Sequence, residues 1–137
     1  MANTEKKARI MIGKVGCDIH ERGALTMMNV YRDAGMEVIY TGRYQSEAAV
    51  AMAAINEDVD VLSISDLSGN LPSICEKILA VLKENGSDIP LTCGGLMTPK
   101  DREDMKAMGV KESFPTGSEI DYCLKRMQEI IAERQAE

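Results

Sequence analysis

The 137-residue sequence predicts a doubly wound α/β fold built on a five-stranded parallel sheet. Three observations predict it. Short apolar runs rich in β-branched residues alternate with helical periods from end to end. Glycine stands at the expected stop of three of the helices, at Gly35, Gly86 and Gly109. A composition of 45% hydrophobic residues in a chain of this length can bury a core without disulfides or a structural metal. The chain reads as one domain, 1–137, with an ordered core of about 7–135 and neither an internal repeat nor an interdomain linker.

The strands are read in order. Ala8–Lys14 (ARIMIGK) comes first and Met36–Tyr40 (MEVIY) second. Val59–Ile64 (VDVLSI) and Ile89–Cys93 (IPLTC) follow, the latter stopped by Gly94 and Gly95. Val110–Phe114 (VKESF) is the last and most polar, as suits an edge. Leu25, Met28, Tyr31 and Arg32 space the first helix, and Ser46 caps a second that carries Val50, Ala53 and Ala54. Ile74, Ile78, Val81 and Leu82 line a third. Thr98, with Pro99 next and Asp101 three residues on, starts a fourth with the elements of a capping box. Ile120, Leu124, Met127, Ile130 and Ile131 line the last.

Right-handed crossovers reduce five such units to few topologies, of which the flavodoxin-like (Rossmann-like) order 2-1-3-4-5 with helices on both faces is the usual one. Ligands in such sheets sit outside the carboxyl ends of the strands, at the switch between strands 1 and 3. That places attention on the loops Lys14–Gly23 and Ser65–Asn70.

Charge and composition exclude several classes. A formal net charge of -6 repels phosphate backbones, so no nucleic-acid partner is expected. The apolar runs fall short of the roughly 18 to 20 residues that span a bilayer, and MANTEKKARI has no apolar segment of a signal peptide, so no membrane contact and a cytoplasmic location are expected. Cys17, Cys75, Cys93 and Cys123 contain no C-x-x-C pair, and His20 is the sole histidine, which leaves a tetrahedral zinc site without ligands.

The loop after the first strand carries that histidine at the place where a ligand belongs. Asp18 stands two residues before it, and a carboxylate there can take one ring N–H, fix the tautomer and leave the other nitrogen for a metal. Lys14 can pair with Asp18 in turn. Taken alone, D-x-H also describes a histidine that merely decorates a loop.

The spacing adds a second layer. Asp18, His20 and Gly23 form D-x-H-x-x-G; after 41 residues Ser65-Asp66-Leu67 forms S-x-L; after 26 more come Gly94 and Gly95. This pattern covers nearly the whole chain and resembles the cobalamin-binding domain of the adenosylcobalamin-dependent acyl-CoA mutases. The resemblance implies that His20 is the lower axial cobalt ligand, replacing the cofactor's own base ("base-off, His-on"), with Asp18 its hydrogen-bond partner and Lys14 the next member of the relay. It implies that Gly23 lets the chain turn near the corrin tail and that Ser65 and Leu67 line a slot for the displaced benzimidazole. It further implies that Gly94 and Gly95 let backbone approach the tail and that the turn of Gly117 lies beside it. Ile19 and Ser68-Gly69-Asn70 depart from residues that many relatives carry there.

The resemblance also implies a role. The chain would hold adenosylcobalamin as the small subunit of a two-subunit acyl-CoA mutase, inactive alone and completed by a large (β/α)8-barrel subunit that binds most of the acyl-CoA. The reaction would be a radical 1,2 rearrangement of a carbon skeleton, with no catalytic residue in this subunit alone. A glutamate mutase-type small subunit is the alternative, as is a corrinoid carrier for methyl transfer or a cobalamin-sensing module. Carriers usually place a helical bundle before the domain and sensors add an output domain.

Overall fold

The computed structural model describes residues 7–16, 18 and 20–136. Cys17 and Ile19 lie outside the described residues. Five strands, β1 (Arg9–Gly13), β2 (Glu37–Tyr40), β3 (Val61–Asp66), β4 (Leu91–Gly95) and β5 (Glu112–Pro115), alternate with five helices. The helices are α1 (Arg22–Asp33), α2 (Glu47–Asn56), α3 (Leu71–Glu84), α4 (Pro99–Met108) and α5 (Ile120–Gln135). All strands are parallel and their spatial order is 2-1-3-4-5, the order expected from the sequence.

Alternate strand residues feed two separate cores. On one face Met11, Leu62, Ile64, Leu91 and Cys93 pack under α2, α3 and α4, against Val50, Ala54, Ile78 and Met105. On the other, Ile10, Ile12, Val61 and Phe114 pack under α1 and α5, against Tyr31, Met127 and Ile130.

Local signals hold where the chemistry is explicit. Ser46 accepts from Ala49 N at 3.0 Å, and Thr98 and Asp101 complete a capping box. Gly109 closes α4 in the left-handed conformation, φ +115°. Three readings need correction. The third and fourth strands run two residues further than the sequence reading, because Ser65 pairs with Gly94 and Asp66 with Gly95. Gly94 and Gly95 are therefore strand residues and not its terminators. In α1 the buried positions are Ala24 and Tyr31, while Leu25 is 44% exposed and faces away from the sheet.

Candidate functional site

The switch between β1 and β3 opens the carboxyl edge of the sheet, where Lys14, Asp18 and His20 lie. Lys14 is wholly buried, as is the Asp18 side chain, 1% exposed. Lys14 Nζ donates to Asp18 Oδ2 at 2.5 Å and to the Ser65 carbonyl at 3.0 Å. Leu67 N donates to the same Oδ2 at 2.9 Å. Oδ1 of Asp18 accepts from His20 N at 3.1 Å and meets His20 Nδ1 at 2.6 Å. One carboxylate thus joins the ends of β1 and β3 to the histidine.

Burial pushes the Asp18 carboxyl up, but the hydrogen bonds from Lys14, Leu67 N and His20 outweigh it and hold the group well below the usual carboxylate range. Asp18 is thereby an anion placed to accept a hydrogen bond from Nδ1–H, and in that tautomer Nε2 is the nitrogen left for a ligand. The imidazole itself is 60% exposed. It stands at the sheet edge as a held but accessible base.

Beside this loop an apolar cavity of about 400 Å3 runs between the sheet and helices α1 and α5. Ser63, Ser65 and Gly94 form its floor with Ile12, and Tyr31, Met27, Leu67, Phe114 and the turn through Gly117 form its walls. The volume lies within the roughly 300 to 1,000 Å3 usual for small-molecule sites, with few polar anchors in an apolar lining. A second cavity, of about 430 Å3, lies on the other side of His20 and is lined by Asp18, Glu47, Asn70, Ser73 and Lys77.

The structure brings together Lys14, Asp18, His20, Ser65 and Leu67 in one hydrogen-bonded unit, and Gly23, Ser65, Leu67, Gly94, Gly95 and Gly117 around the cavity. It separates the reasons for the glycines. A Cβ on Gly95 would lie 1.9 Å from the Asp66 carbonyl oxygen, so this glycine, at φ +133°, is demanded by β3. A Cβ on Gly94 would meet Phe114 O at 3.5 Å, an ordinary contact, and would project at the cavity floor. Gly23 is the second residue of α1 and turns nothing; Gly16, φ +69°, makes the turn in this loop. Ser63 and Tyr31 were not singled out for the cavity in the sequence, whereas Phe114 was, as the start of the turn through Gly117. Ser63 was legible, since it stands two residues before Ser65 and so shares its face of the strand.

Residues 8–121 match the B12 binding domain family. The chain belongs to the B12-binding domain family. The 2-hydroxyisobutanoyl-CoA mutase small subunit of Aquincola tertiaricarbonis is 36% identical over 129 residues, 93% of this chain and 95% of that one. The methylmalonyl-CoA mutase of Cereibacter sphaeroides is 31% identical over 93% of this chain, which corresponds to 18% of that protein. This B12-binding domain is accordingly of the CoA mutase small-subunit type, and its cofactor is a cobalamin. Relatives of this type are parts of isomerases. In fold it is similar to a cobalamin-binding protein from Desulfitobacterium hafniense, with a TM-score of 0.78 at 16% identity over 91% of this chain and 60% of that one. Among the described residues no helix is long and apolar enough to cross a membrane.

Proposed function

We propose that the chain binds adenosylcobalamin base-off with His20 on cobalt, as the small subunit of a two-subunit acyl-CoA mutase. The observation that carries the reading is the Asp18–His20 pair, bonded through Nδ1 at 2.6 Å, beside an apolar cavity of about 400 Å3. The residues fit the group on both counts. Nε2 is a neutral-type nitrogen donor of the kind that cobalt accepts. The cavity floor carries Ser63, Ser65 and Gly94, which leave room where larger side chains would fill it.

His20 would hold the metal from below, while Asp18 orients the ring and Lys14 fixes Asp18. Ser65, Leu67, Gly94 and the Gly117 turn would hold the nucleotide tail, with Gly23 at the mouth. Bound there, adenosylcobalamin would supply the carbon-radical chemistry that a 1,2 rearrangement of an acyl-CoA needs. The chain's own work would be to bind and orient, with His20 exposed at an open sheet edge. That exposure, with the small-subunit relative, supports a large barrel subunit that would cover the open side and bind the acyl-CoA. A cytoplasmic location is part of the same reading.

The deciding experiment is chromatographic separation of acyl-CoA isomers after incubation with adenosylcobalamin. The chain alone is expected to give no turnover, and the chain with a large barrel subunit of a CoA mutase to interconvert branched and linear acyl-CoA. Turnover by the chain alone overturns the two-subunit reading. Turnover of glutamate and of no acyl-CoA overturns the substrate class.

A further inference from the structure

Glu21 occupies the N-cap position of α1, where a polar side chain ordinarily accepts from the free N–H groups of the first turn. Its carboxylate makes no such bond. It turns to the neighbouring strand instead. Tyr40, the last residue of β2, donates its phenol O–H to Glu21 Oε2, and Arg43 Nε lies 3.4 Å from Oε1. Two backbone donors lace the same loops together: Lys14 N to Thr41 Oγ1 at 3.2 Å and Gly16 N to the Gln45 carbonyl at 2.8 Å.

His20 therefore sits between two anchors. Asp18, two residues before it, is tied to the end of β3 through Leu67 N and the Lys14 ammonium. Glu21, directly after it, is tied to the end of β2. Asp18 fixes the ring through Nδ1, but a histidine is aimed by its backbone as well as by its ring partner, and the backbone leaving His20 is set by Glu21. A phenol-to-carboxylate bond is charge-assisted and short-ranged, which suits it to fixing a position. Burial and the bond to Glu21 push the Tyr40 phenol up from its ordinary value, so the donor keeps its proton at physiological pH. The Arg43 contact is partly exposed and adds little.

We propose that Glu21 and Tyr40 are positioning residues for the axial histidine, their hydrogen bond fixing the chain beyond His20 so that Nε2 is presented at the sheet edge. This rests on the reading of His20 as the cobalt ligand. Neither residue touches the metal; they act on how completely the histidine engages it.

The test is electron paramagnetic resonance of the protein loaded with cob(II)alamin, in which an axial nitrogen splits the signal, together with the dissociation constant. The wild type is expected to show histidine nitrogen, and His20→Ala to lose it. Tyr40→Phe and Glu21→Ala are expected to weaken binding roughly 3- to 10-fold, short of the 10- to 100-fold typical for a group that bonds the ligand directly, and to lower the nitrogen-ligated fraction. The double variant is expected to lose no more than either single one, because both remove the same bond. Glu21→Gln keeps an acceptor and is expected to stay near wild type. Circular dichroism of each apo variant checks that the fold persists; Glu21→Ala, at the partly exposed start of a helix, secures one folded arm. Wild-type ligation and affinity in both single variants overturns the positioning role and leaves the cobalt assignment standing. No histidine nitrogen in the wild type overturns the cobalt assignment and this inference with it.

Discussion

Lys14 and Asp18 meet at 2.5 Å with both side chains withdrawn from solvent, four residues apart in a loop and not in a helix. The pair is as much a structural commitment as a functional one. Two buried charges survive out of water only when each is compensated, and here the Ser65 carbonyl and Leu67 N supply the additional bonds.

Removing one member therefore has two consequences that can be separated. Asp18→Asn leaves the Lys14 ammonium buried without its counter-charge, at a cost of about 3 to 5 kcal/mol in unfolding free energy. The double variant Lys14→Met, Asp18→Asn removes the orphan charge and is expected to recover most of that loss, read as the urea midpoint. Cobalamin affinity is expected to stay roughly 10- to 100-fold down in both, because neither orients the histidine. Recovery of affinity along with stability would show that Asp18 matters only for folding.

Acid has a defined sign at the same carboxylate. Its folded-state value lies below the ordinary one near about 3.9, so its contribution is complete above about pH 4 and is lost as pH falls from there toward the folded value. Urea midpoints of the apo protein at pH 7 and pH 3 are expected to show the wild type losing more stability than the Lys14→Met, Asp18→Asn variant. Equal losses would mean that other carboxylates carry the acid sensitivity.

Neighbouring glycines give a sharp contrast. Gly95→Ala drives a methyl group into the Asp66 carbonyl and forces alanine to φ +133°; it is expected to cost on the order of 3 kcal/mol or more and to prevent folding at moderate temperature. Gly94→Ala meets only ordinary contacts and is expected to change stability by about 1 kcal/mol or less. Its methyl group narrows the cavity floor, so cobalamin affinity is expected to fall while the midpoint holds. Thermal melts and binding titrations on both variants check this pair.

A fourth expectation concerns folding alone. Thr98→Ala deletes the bond from Asp101 N at 3.0 Å and half of the capping box, for a loss of about 1 kcal/mol with cobalamin affinity unchanged.

The alternation of strands and helices was legible because the strands other than the last are short apolar runs and three of the five helices end at a glycine. Ser46, Thr98 and Gly109 do what their residue types dictate from sequence neighbours alone. What was illegible depends on contacts between segments far apart in the chain. Nothing local marks Lys14 as wholly buried, since its partners include Ser65, 51 residues on. Gly94 and Gly95 read as strand terminators because the approach of Asp66 is invisible without the register. The Asp18–His20 pair was legible because two residues suffice to bring carboxylate and imidazole together. The Tyr40–Glu21 bond was not, because it joins the end of β2 to the N-cap of α1 across 19 residues.

The cavity belongs almost wholly to one of the two cores, the one shared by the sheet with α1 and α5. The opposite core, under α2, α3 and α4, lends it Ile64 alone. Sequence drift or deliberate redesign can thus act on the two faces at different rates. Substitutions under α3 and α4 weaken or strengthen the scaffold and leave most of the cavity lining untouched, whereas substitutions under α1 and α5 change the shape of what can enter. A stabilised variant for structural work is best sought by repacking around Ile78 and Met105, and an altered cavity by varying Tyr31, Ser63 and Phe114.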